Sequence, residues 1–444
     1  MTELSGWGRY PKHDSELVAA SSPAVVPEIL RTRDGIVARG NGRAYGDAAI
    51  GARATLATGR LDRMRSFDPE TGRLTVEAGV LLSDILTAFV PRRWFPAVVP
   101  GTKFVTVGGM IAADVHGKNH HRDGGFGDQV EELTLALPEG AAVTCSRQER
   151  PDLFAATIGG MGLTGTIVQA TFRLKRIETG WLRQRTLVAP NLDAAMAALR
   201  ETADATYSVA WIDCLARGPA LGRSLVYAAE HATPGDVAGL KPGAEAFPKA
   251  RQGRLAVPLD LPGFTLNRHS VTAFNEVYFR RGAAKGAEPF LVHWDPYFFP
   301  LDAIGSWNRI YGRRGFLQHQ CVIPAPAARD VLGEMLERLS AHGNASFLAV
   351  LKLLGASSGT IAFPLEGYTL ALDLGVNDAV FPLLDDIDRL VVAAGGRLYL
   401  AKDARQSPAT FEAGYPGLAR FRAIRREIGA EGRIASRLSM RLGI

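Results

Sequence analysis

The sequence predicts an α+β fold, in which a glycine-rich N-terminal region of short strands precedes a C-terminal third of longer, more regular elements. Short apolar runs in the first 175 residues border on glycines, as strands bounded by tight turns do. The last third alternates strands and amphipathic helices in the order β-α-β-β-α-β. A chain of 444 residues with 47% hydrophobic side chains is long enough for about two or three separate cores.

In the N-terminal region, Gly35–Arg39 and Leu74–Ala78 are short apolar runs and are predicted strands. The run that starts at Val80 has apolar residues at helical spacing, which predicts a helix after the second strand. Gly165–Leu174 alternates and predicts a third strand. A loop-rich stretch, Gly235–Gly263, follows in the middle of the chain, and we expect it to pass over a site.

The C-terminal third has clear starts and stops. Gly343 ends the first predicted helix, Asn377 caps the second, and Gly395–Gly396 ends it. The predicted elements are the strand Phe316–Ile323, the helix Pro326–His342, the strands Ser346–Leu353 and Thr369–Leu374, a helix from Asn377 through Val391, and the strand Arg397–Ala401.

The composition excludes several classes of protein. No apolar run reaches the roughly 18 residues of a membrane span, and the polar N-terminus predicts no secretory signal. We therefore expect a protein that is cytoplasmic or peripheral at the inner-membrane surface. Cys145, Cys214 and Cys321 are far apart, which favours buried thiols over a disulfide framework or a zinc site.

The net charge of +6 favours anionic partners such as phosphates, nucleotides or an acidic membrane surface. The densest basic run, Arg420–Arg433, has apolar residues at helical spacing and is interpreted as a solvated helix face. A membrane or nucleic-acid surface is the alternative for this run. Since nucleic-acid binding leaves the glycine segments described next unexplained, no nucleic-acid partner is predicted.

Three glycine-rich segments, Gly40–Asp47, Pro100–His121 and Gly159–Gly165, adjoin predicted strands. The first lacks the third glycine of a dinucleotide fingerprint, because Tyr45 stands there. Its backbone N–H groups can instead surround an anion, although a plain turn would explain this segment alone. His120–His121 with Asp114 would be a weak metal site without supporting spacing, so no metal is predicted. One extended cofactor with a central pyrophosphate explains all three segments together.

These segments, in this order, resemble those of FAD-linked oxidases of the vanillyl-alcohol-oxidase type. Asp114–His121 (DVHGKNHH) resembles the decaprenylphosphoryl-β-D-ribose 2′-oxidase family in particular, the flavin subunit of a ribose-to-arabinose epimerase. The resemblance spans nearly the whole chain and continues in Tyr207–Asp213, Trp307–Gly312, Gly315–Gln320, Ser346–Lys352 and Gly396–Asp403.

The resemblance implies a set of cofactor-binding residues. Because the first loop has no histidine to tether a flavin, dissociable, non-covalent FAD is predicted. The pyrophosphate would lie on Gly40, Asn41, Gly42, Arg43, Ala44, Tyr45, Gly46 and Asp47. The ribityl chain and isoalloxazine would lie along Gly101, Thr106, Val107, Gly108, Gly109, His116, Gly117, Lys118 and Asn119, and Gly162, Ile167 and Tyr399 would complete the contacts.

Lys402 matches the catalytic lysine of the family, where a cation stabilises the charge that develops on the flavin. Tyr45 and His116 complete the predicted catalytic set. The substrate would contact Trp211, Tyr311, Gln318, Gln320, Lys352 and Lys402, although each of these could be an ordinary core or surface residue. Ala371 and Thr369 depart from the cysteine and asparagine of relatives, which puts the lipid part of the substrate in doubt.

The resemblance also implies a domain division and a reaction. Residues 1–178, completed by 397–444, would bind FAD, and 179–396 would form a sheet-plus-helices substrate domain inserted between these parts. The expected reaction is oxidation of the 2′-hydroxyl of a polyprenyl-phosphoryl ribofuranose to the keto sugar. A separate NAD(P)H-dependent reductase would complete the epimerisation, with dioxygen or a quinone as electron acceptor. The alternative substrate is a soluble sugar, polyol or aldonolactone.

Overall fold

A computed structural model describes residues 1–240, 244–251, 253, 255–263, 265–343, 346 and 348–444. Parts of the predicted loop Gly235–Gly263, at 241–243, 252 and 254, lie outside the described residues. Phe347 of the predicted strand Ser346–Leu353 does so as well.

The described residues form strands throughout the chain. They are β1 (Thr2–Ser5), β2 (Lys12–Ala19), β3 (Ile36–Arg39), β4 (Ala54–Ala57), β5 (Met64–Phe67), β6 (Arg73–Glu77), β7 (Trp94–Pro96), β8 (Val130–Ala136), β9 (Ala142–Ser146), β10 (Thr166–Arg176), β11 (Trp181–Ala189), β12 (Tyr207–Ile212), β13 (Ser224–His231), β14 (Leu255–Ala256), β15 (Phe290–His293), β16 (Ile304–Gly305), β17 (Phe316–Pro324), β18 (Ala349–Leu354), β19 (Gly367–Gly375) and β20 (Arg397–Leu398).

The α-helices lie between these strands and at the C-terminus. They are α1 (Val26–Arg31), α2 (Leu82–Phe89), α3 (Val107–Ala112), α4 (His120–Asp123), α5 (Pro151–Thr157), α6 (Leu192–Glu201), α7 (Pro234–Ala238), α8 (Arg268–Ala283), α9 (Trp294–Phe298), α10 (Ala325–His342), α11 (Val380–Ala393), α12 (Pro408–Gly414), α13 (Leu418–Glu427) and α14 (Arg437–Leu442).

The first 176 residues build two sheets. One has the order β1-β2-β4-β3, with parallel pairing of β4 to both β2 and β3. The other has the order β5-β6-β10-β8-β9, and β7 pairs with the far end of β10. The mixed α and β content and these glycine-linked strands agree with the predicted α+β class.

An eight-stranded sheet follows, with the order β15-β11-β13-β12-β18-β19-β17-β20. Its strands β18, β19, β17 and β20 pair antiparallel with their neighbours in that order. Helices α6, α10 and α11 bury their apolar residues against one face of this sheet. The predicted order β-α-β-β-α-β corresponds to β17, α10, β18, β19, α11 and β20. Gly343 ends α10 in the left-handed conformation, and the Asn377 side chain accepts hydrogen bonds at the start of α11.

Three of the differences from the predicted elements lie close to the candidate site. β20 ends at Leu398 rather than Ala401, because the chain turns there and the Lys402 N–H donates to the carbonyl of Tyr399. β18 begins at Ala349 rather than Ser346. The second glycine segment contains a short helix, α3, which the sequence interpretation did not include. Helix formation there follows from the cap, since Thr106 Oγ1 accepts the Gly109 N–H at 3.2 Å.

β20 pairs with β17, so the eight-stranded sheet continues past residue 396 before the chain returns to the N-terminal sheets. In the C-terminal segment, Arg441 bridges Asp47 of the first glycine loop and Asp403 at 2.9 and 3.0 Å. This segment thereby ties the glycine loop to the end of the large sheet. All three cysteines are buried and unpaired, as predicted. Among the described helices, none combines the length and apolarity required to cross a membrane.

Candidate active site

Polar side chains collect on the face of the large sheet that α10 and α11 leave uncovered. Gln318 and Gln320 alternate with the helix-facing residues of β17, as predicted for positions two apart on a strand. In the antiparallel register Gln318 lies opposite Asp373, and Thr369 lies opposite Lys352. Three neighbouring strands thus present amides, a lysine and a carboxylate to one surface.

Lys402 reaches this surface from the turn after β20. Its Nζ lies 3.7 Å from the ring centroid of Tyr45, in a cation–π contact. The Tyr45 N–H donates to the carbonyl of Ala401, which holds the first glycine loop against the same turn. Two predicted catalytic residues, 357 positions apart in the chain, are therefore in direct contact.

Asp373 is the carboxylate of this surface, and the sequence interpretation missed it. It is fully buried, and Gln318 donates to its Oδ1, whereas its Oδ2 has no partner among the described residues. Burial raises the pKa of Asp373 to about 7, opposed by Gln318 and Lys402. Burial lowers the pKa of Lys402 to about 7, opposed by Asp373. Asp373 lies two and four positions after Ala371 and Thr369 on one strand, and this alternation could have indicated that the three share a face.

Lys118 and Lys352 add positive charge beside Lys402. Lys352 donates to the carbonyl of Gly117 at 3.4 Å, and burial lowers its pKa to about 8. Lys118 donates to the Tyr297 carbonyl and lies 4.0 Å from that ring. Burial, with Lys352 as the second cause, lowers the pKa of Lys118 to about 7. Lys352 repels both Lys118 and Lys402, so an anion would be favourable in this region.

His116 lies between these cations. Its Nε2 is 2.9 Å from Nε2 of Gln320, which also donates to Thr369 at 3.2 Å. With the amide as donor, His116 carries its proton on Nδ1, and that atom has no partner among the described residues. Burial, followed by the charge of Lys352, lowers the pKa of His116 well below its usual value, so the ring is neutral. A neutral imidazole with one buried N–H is available to donate to a bound molecule.

Aromatic rings enclose the site. Tyr399 stacks on Phe363 at 4.5 Å, and its hydroxyl donates to the Ala113 carbonyl at 2.7 Å. Tyr311 stacks on Phe316 at 4.3 Å on the opposite side. Trp211 lies farther along the same sheet face, opposite Val350 of β18, and its ring packs 4.7 Å from Tyr278 of α8.

The first glycine loop offers unused donors. In the described part of the chain, the N–H groups of Asn41, Gly42, Arg43 and Ala44 have no protein acceptor. Gly42 has φ 62°, and a Cβ at Gly40 would lie 2.2 Å from Thr106 Oγ1, so both positions require glycine. A cavity of about 700 Å³ opens beside the loop, lined by Arg9, Arg39, Arg43 and Arg309 together with Trp7 and small and polar residues. Free amides beside arginines are suited to a phosphate group.

The second segment differs from the loop because its amides are occupied. The N–H groups of Val107 and Gly108 donate to the carbonyls of Val80 and Ala78, and Gly109 donates to Thr106. This segment can therefore approach a ligand closely but offers it few backbone donors. Gly101 is exposed, with open space around its Cα.

Some predicted cofactor residues have side chains that are engaged elsewhere. Val107 and Ile167 are buried in the apolar core of the N-terminal sheets. Asn119 donates to the carbonyl of Ala97. Its Oδ1 lies close to Gly117, so that a Cβ at position 117 would be only 2.5 Å from it. Asp47 pairs with Arg441, and a Cβ on Gly46 would meet the carbonyl of Asp403 at 1.9 Å. These residues position the glycine segments; Gly162 adds a left-handed turn with φ 74°.

Apart from the residues just described and Trp211, many of the predicted residues form two groups. Gly40, Asn41, Gly42, Arg43, Ala44 and Thr106 surround the loop beside the arginine-lined cavity. Tyr45, His116, Lys118, Tyr311, Gln318, Gln320, Lys352, Tyr399 and Lys402 surround the buried cationic surface. Among the described residues, no group of three or more His, Cys, Asp or Glu side chains is placed to hold a metal ion.

Comparison with known proteins agrees with this arrangement. The profile of the FAD binding domain family matches residues 15–146, which include the first two glycine segments. Decaprenylphosphoryl-beta-D-ribose oxidase of Mycolicibacterium smegmatis is 33% identical over 459 aligned residues, with 99% of this chain and 97% of that protein covered. An uncharacterized protein of Streptomyces coelicolor is 33% identical over 82% of this chain and all of its own length.

A shorter similarity relates the chain to L-gulonolactone oxidase of Mus musculus, which is 28% identical over 35% of this chain and 36% of that protein. Only the first of these relatives is both named for an activity and aligned from end to end. The chain therefore belongs to the decaprenylphosphoryl-β-D-ribose oxidase family and is an FAD-dependent oxidoreductase.

Proposed function

We propose that this protein oxidises the 2′-hydroxyl of a polyprenyl-phosphoryl-β-D-ribofuranose to the 2′-keto sugar. The end-to-end relationship to decaprenylphosphoryl-beta-D-ribose oxidase supports this substrate most strongly. The buried group of Lys118, Lys352 and Lys402 supports it independently, because a phosphorylated sugar is an anion.

The residues fit FAD. The free amides of Asn41–Ala44 and the nearby arginines would hold the pyrophosphate, and the Nδ1–H of His116 is an available buried donor. When bound, FAD supplies the acceptor for a hydride from the carbinol carbon. With it we propose the predicted domain division, in which residues 1–178 and 397–444 bind the cofactor and 179–396 bind the sugar.

The side chains around Lys402 provide what hydride removal requires. A cation held beside Tyr45 favours the negative charge that builds up during transfer. A carbinol that loses hydride also loses its hydroxyl proton, and we propose that the carboxylate of Asp373, whose pKa is near 7 beside the Lys402 ammonium, accepts it. Groups with such values are effective at moving a proton near neutral pH. Gln318 and Gln320 lie on the same face, and we propose that they orient the sugar hydroxyls.

A soluble sugar, polyol or aldonolactone is the second candidate substrate. The similarity to L-gulonolactone oxidase and the small Ala371 and Thr369 on the site face favour it. Both candidates share the cofactor and the hydride chemistry, and they differ in the need for a lipid-linked phosphate.

Anaerobic stopped-flow mixing separates the two candidates. We expect a polyprenyl-phosphoribose to bleach the flavin absorbance rapidly, whereas free pentitols and aldonolactones leave it oxidised. The matched control is the 2′-deoxy form of the same lipid-linked sugar, which has no hydroxyl to oxidise. Fast bleaching by a free pentitol, without bleaching by the lipid-linked sugar, would refute the proposed substrate.

We propose that FAD is bound without a covalent link, since the first loop contains no histidine. Denaturation and precipitation should leave all the flavin in the supernatant. A yellow pellet would disprove the proposal.

The keto sugar requires a second reaction if the arabinose form is to be made. We propose that a separate NAD(P)H-dependent reductase supplies it, and that a quinone is one candidate acceptor for the flavin electrons. Mixing the product with NADPH and a keto-sugar reductase, followed by analysis of the released pentose, tests the role of the reductase. Rates of flavin reoxidation with dioxygen and with a soluble quinone test the proposed electron acceptor.

A further inference from the structure

Helix α8 exposes an unusual amount of apolar surface. Phe274, Val277 and Tyr278 are 46%, 51% and 37% exposed, and their spacing of three and four residues places them on one stripe. Exposed apolar residues scattered singly are normal, but three within one helical turn form a patch.

The opposite side of α8 is firmly packed, so the exposed stripe belongs to a fixed helix. Val271, Asn275 and Gly282 are buried. Asn275 donates to Asp213 at 2.7 Å, and a Cβ on Gly282 would lie 2.1 Å from Leu225 Cδ1 of β13. The helix therefore lies very close to the sheet and cannot roll to bury Phe274.

The charge around the stripe is positive. From Arg268 to Lys285 the chain has four basic residues and one acidic residue, Glu276. Glu276 is paired with Arg223 and Arg280, so its charge is compensated. Arg281 and Lys285 follow Phe274 and Val277 on the outward side and are exposed. Apolar residues bordered by cations are the pattern of a helix that lies at the surface of an anionic bilayer.

The stripe is also continuous with the active-site face of the sheet. The Phe274 and Tyr278 rings stack at 5.8 Å, and Tyr278 lies 4.7 Å from Trp211. Trp211 is opposite Val350, two residues before Lys352 on β18. An apolar path of aromatic rings thus leads from the outer surface towards the buried lysines.

We propose that α8 docks this protein on a phospholipid bilayer with anionic headgroups, with Phe274 and Val277 entering the boundary between headgroups and acyl chains. Arg281 and Lys285 contact the headgroups. A bilayer at this position lies at the outer end of the aromatic path to Trp211. The docking does not depend on which sugar is oxidised.

Flotation of the FAD-bound, full-length protein with vesicles tests the proposal. We expect binding to vesicles of phosphatidylcholine mixed with phosphatidylglycerol, and weaker binding to phosphatidylcholine alone. The double variant F274D/V277D should lose at least about tenfold in affinity, because both side chains would bring charge into the boundary region. R281E/K285E should lose at least about 25-fold on anionic vesicles, since each cation near such a surface contributes about fivefold.

V188D is the matched control, because Val188 is 46% exposed on β11 and lies outside α8. It should float like the wild type, and flavin absorbance should verify that all variants are folded. Wild-type protein that does not float, or F274D/V277D that floats as well as the wild type, would overturn the proposal. So would a wild-type dimer in light scattering that F274D/V277D converts to monomers, since the stripe would then bind a second copy. Vesicles without substrate are used, so a wrong substrate assignment leaves the result unaffected.

Discussion

The ionisation of a few side chains dominates the chemistry of this protein. Lys402 and Asp373 both have a pKa near 7, one lowered and one raised by burial, and they oppose each other's shift. Lys352 is a further cation within electrostatic reach of Lys402, and it also acts on Lys118. Such pKa shifts cost folding free energy and are typical of functional sites.

Replacement of Lys402 by alanine should leave FAD bound and abolish most turnover. The ammonium group stabilises developing charge, whereas the cofactor-binding amides lie on a different loop. We expect kcat to fall by about 10²-fold or more, on the pattern of other lost electrostatic stabilisers. Flavin absorbance and steady-state turnover measure the two effects, and K12A on exposed Lys12 is the control. Undiminished turnover would refute the assigned role.

Replacement of Lys352 by methionine should stabilise the apoprotein at neutral pH. Burial lowers the pKa of Lys352 to about 8 from its ordinary value of 10.5. At pH values below the folded-state pKa, Lys352 is charged although it is buried, and this destabilises the protein. Between about pH 8 and 10.5 the unfolded chain binds more protons than the folded protein, so the penalty is relieved as the pH rises. K352M should therefore exceed the wild type by about 2 kcal/mol at pH 7, and by little above pH 10.5.

Urea unfolding of the apoproteins at both pH values measures this difference, with K12M as the control. A K352M variant that is less stable than the wild type at pH 7 would show that the ammonium group is stabilised by contacts in the folded state.

The first glycine loop is the element on which cofactor binding depends. Its shape requires a left-handed backbone conformation at Gly42. At Gly40 and Gly46 neighbouring atoms come so close that no side chain would fit. Its free amides follow directly from this shape, because a loop that curves around an anion directs its N–H groups inwards.

Replacement of Gly42 by valine should give colourless protein. A Cβ at Gly42 would lie 2.6 Å from the Arg39 guanidinium, and the β-branched side chain disfavours φ 62°. Flavin content per mole of purified protein is the measurement. Gly429 is a matched control, with φ 64° and open space around its Cβ, so G429V should be similarly strained but remain yellow. Full flavin occupancy in G42V would place the pyrophosphate elsewhere.

The C-terminal segment connects the large sheet with the N-terminal sheets. β20 pairs with β17 of the large sheet, and the following helices pack against the N-terminal sheets. Arg441 joins the two ends of this path, because it pairs with both Asp47 and Asp403. Burial favours the neutral form of Asp403, but Arg441 and the N–H groups of Arg405 and Gln406 outweigh it and lower the pKa.

Replacement of Arg441 by methionine should destabilise the protein by about 3 kcal/mol at pH 7, because two buried carboxylates lose their cation. The pKa of Asp403 is lower in the folded state than in the unfolded chain. Its ion pair therefore contributes its full stability at pH values above the pKa of the unfolded state. This contribution is lost as the pH falls through the pKa of the folded state. The deficit of R441M should therefore shrink in acid. Urea unfolding at pH 7 and at about pH 3 measures both effects.

R420M is the control for this experiment, since Arg420 pairs with Asp152 in an exposed ion pair worth at most about 1 kcal/mol. An R441M protein as stable as the wild type would mean that other contacts hold the glycine loop to the C-terminal segment.

The amino-acid sequence alone determined the local features of this protein. Strands β17 and β19, helices α10 and α11, and the place of Gln318 and Gln320 on one face followed from periodicity, because a side chain's direction depends on local backbone geometry. The three glycine segments predicted FAD through their resemblance to known FAD-linked oxidases, and the family assignment was confirmed.

Folding in three dimensions decided how these features combine. Only the packed chain shows that Lys402 contacts Tyr45, that Asp373 joins them, and that the amides of Val107 and Gly108 are already occupied. The ion pair between Arg441 and Asp47 also joins residues that are 394 positions apart in the chain. Burial and pKa are properties of an environment assembled from distant segments, so no local pattern in the sequence could supply them.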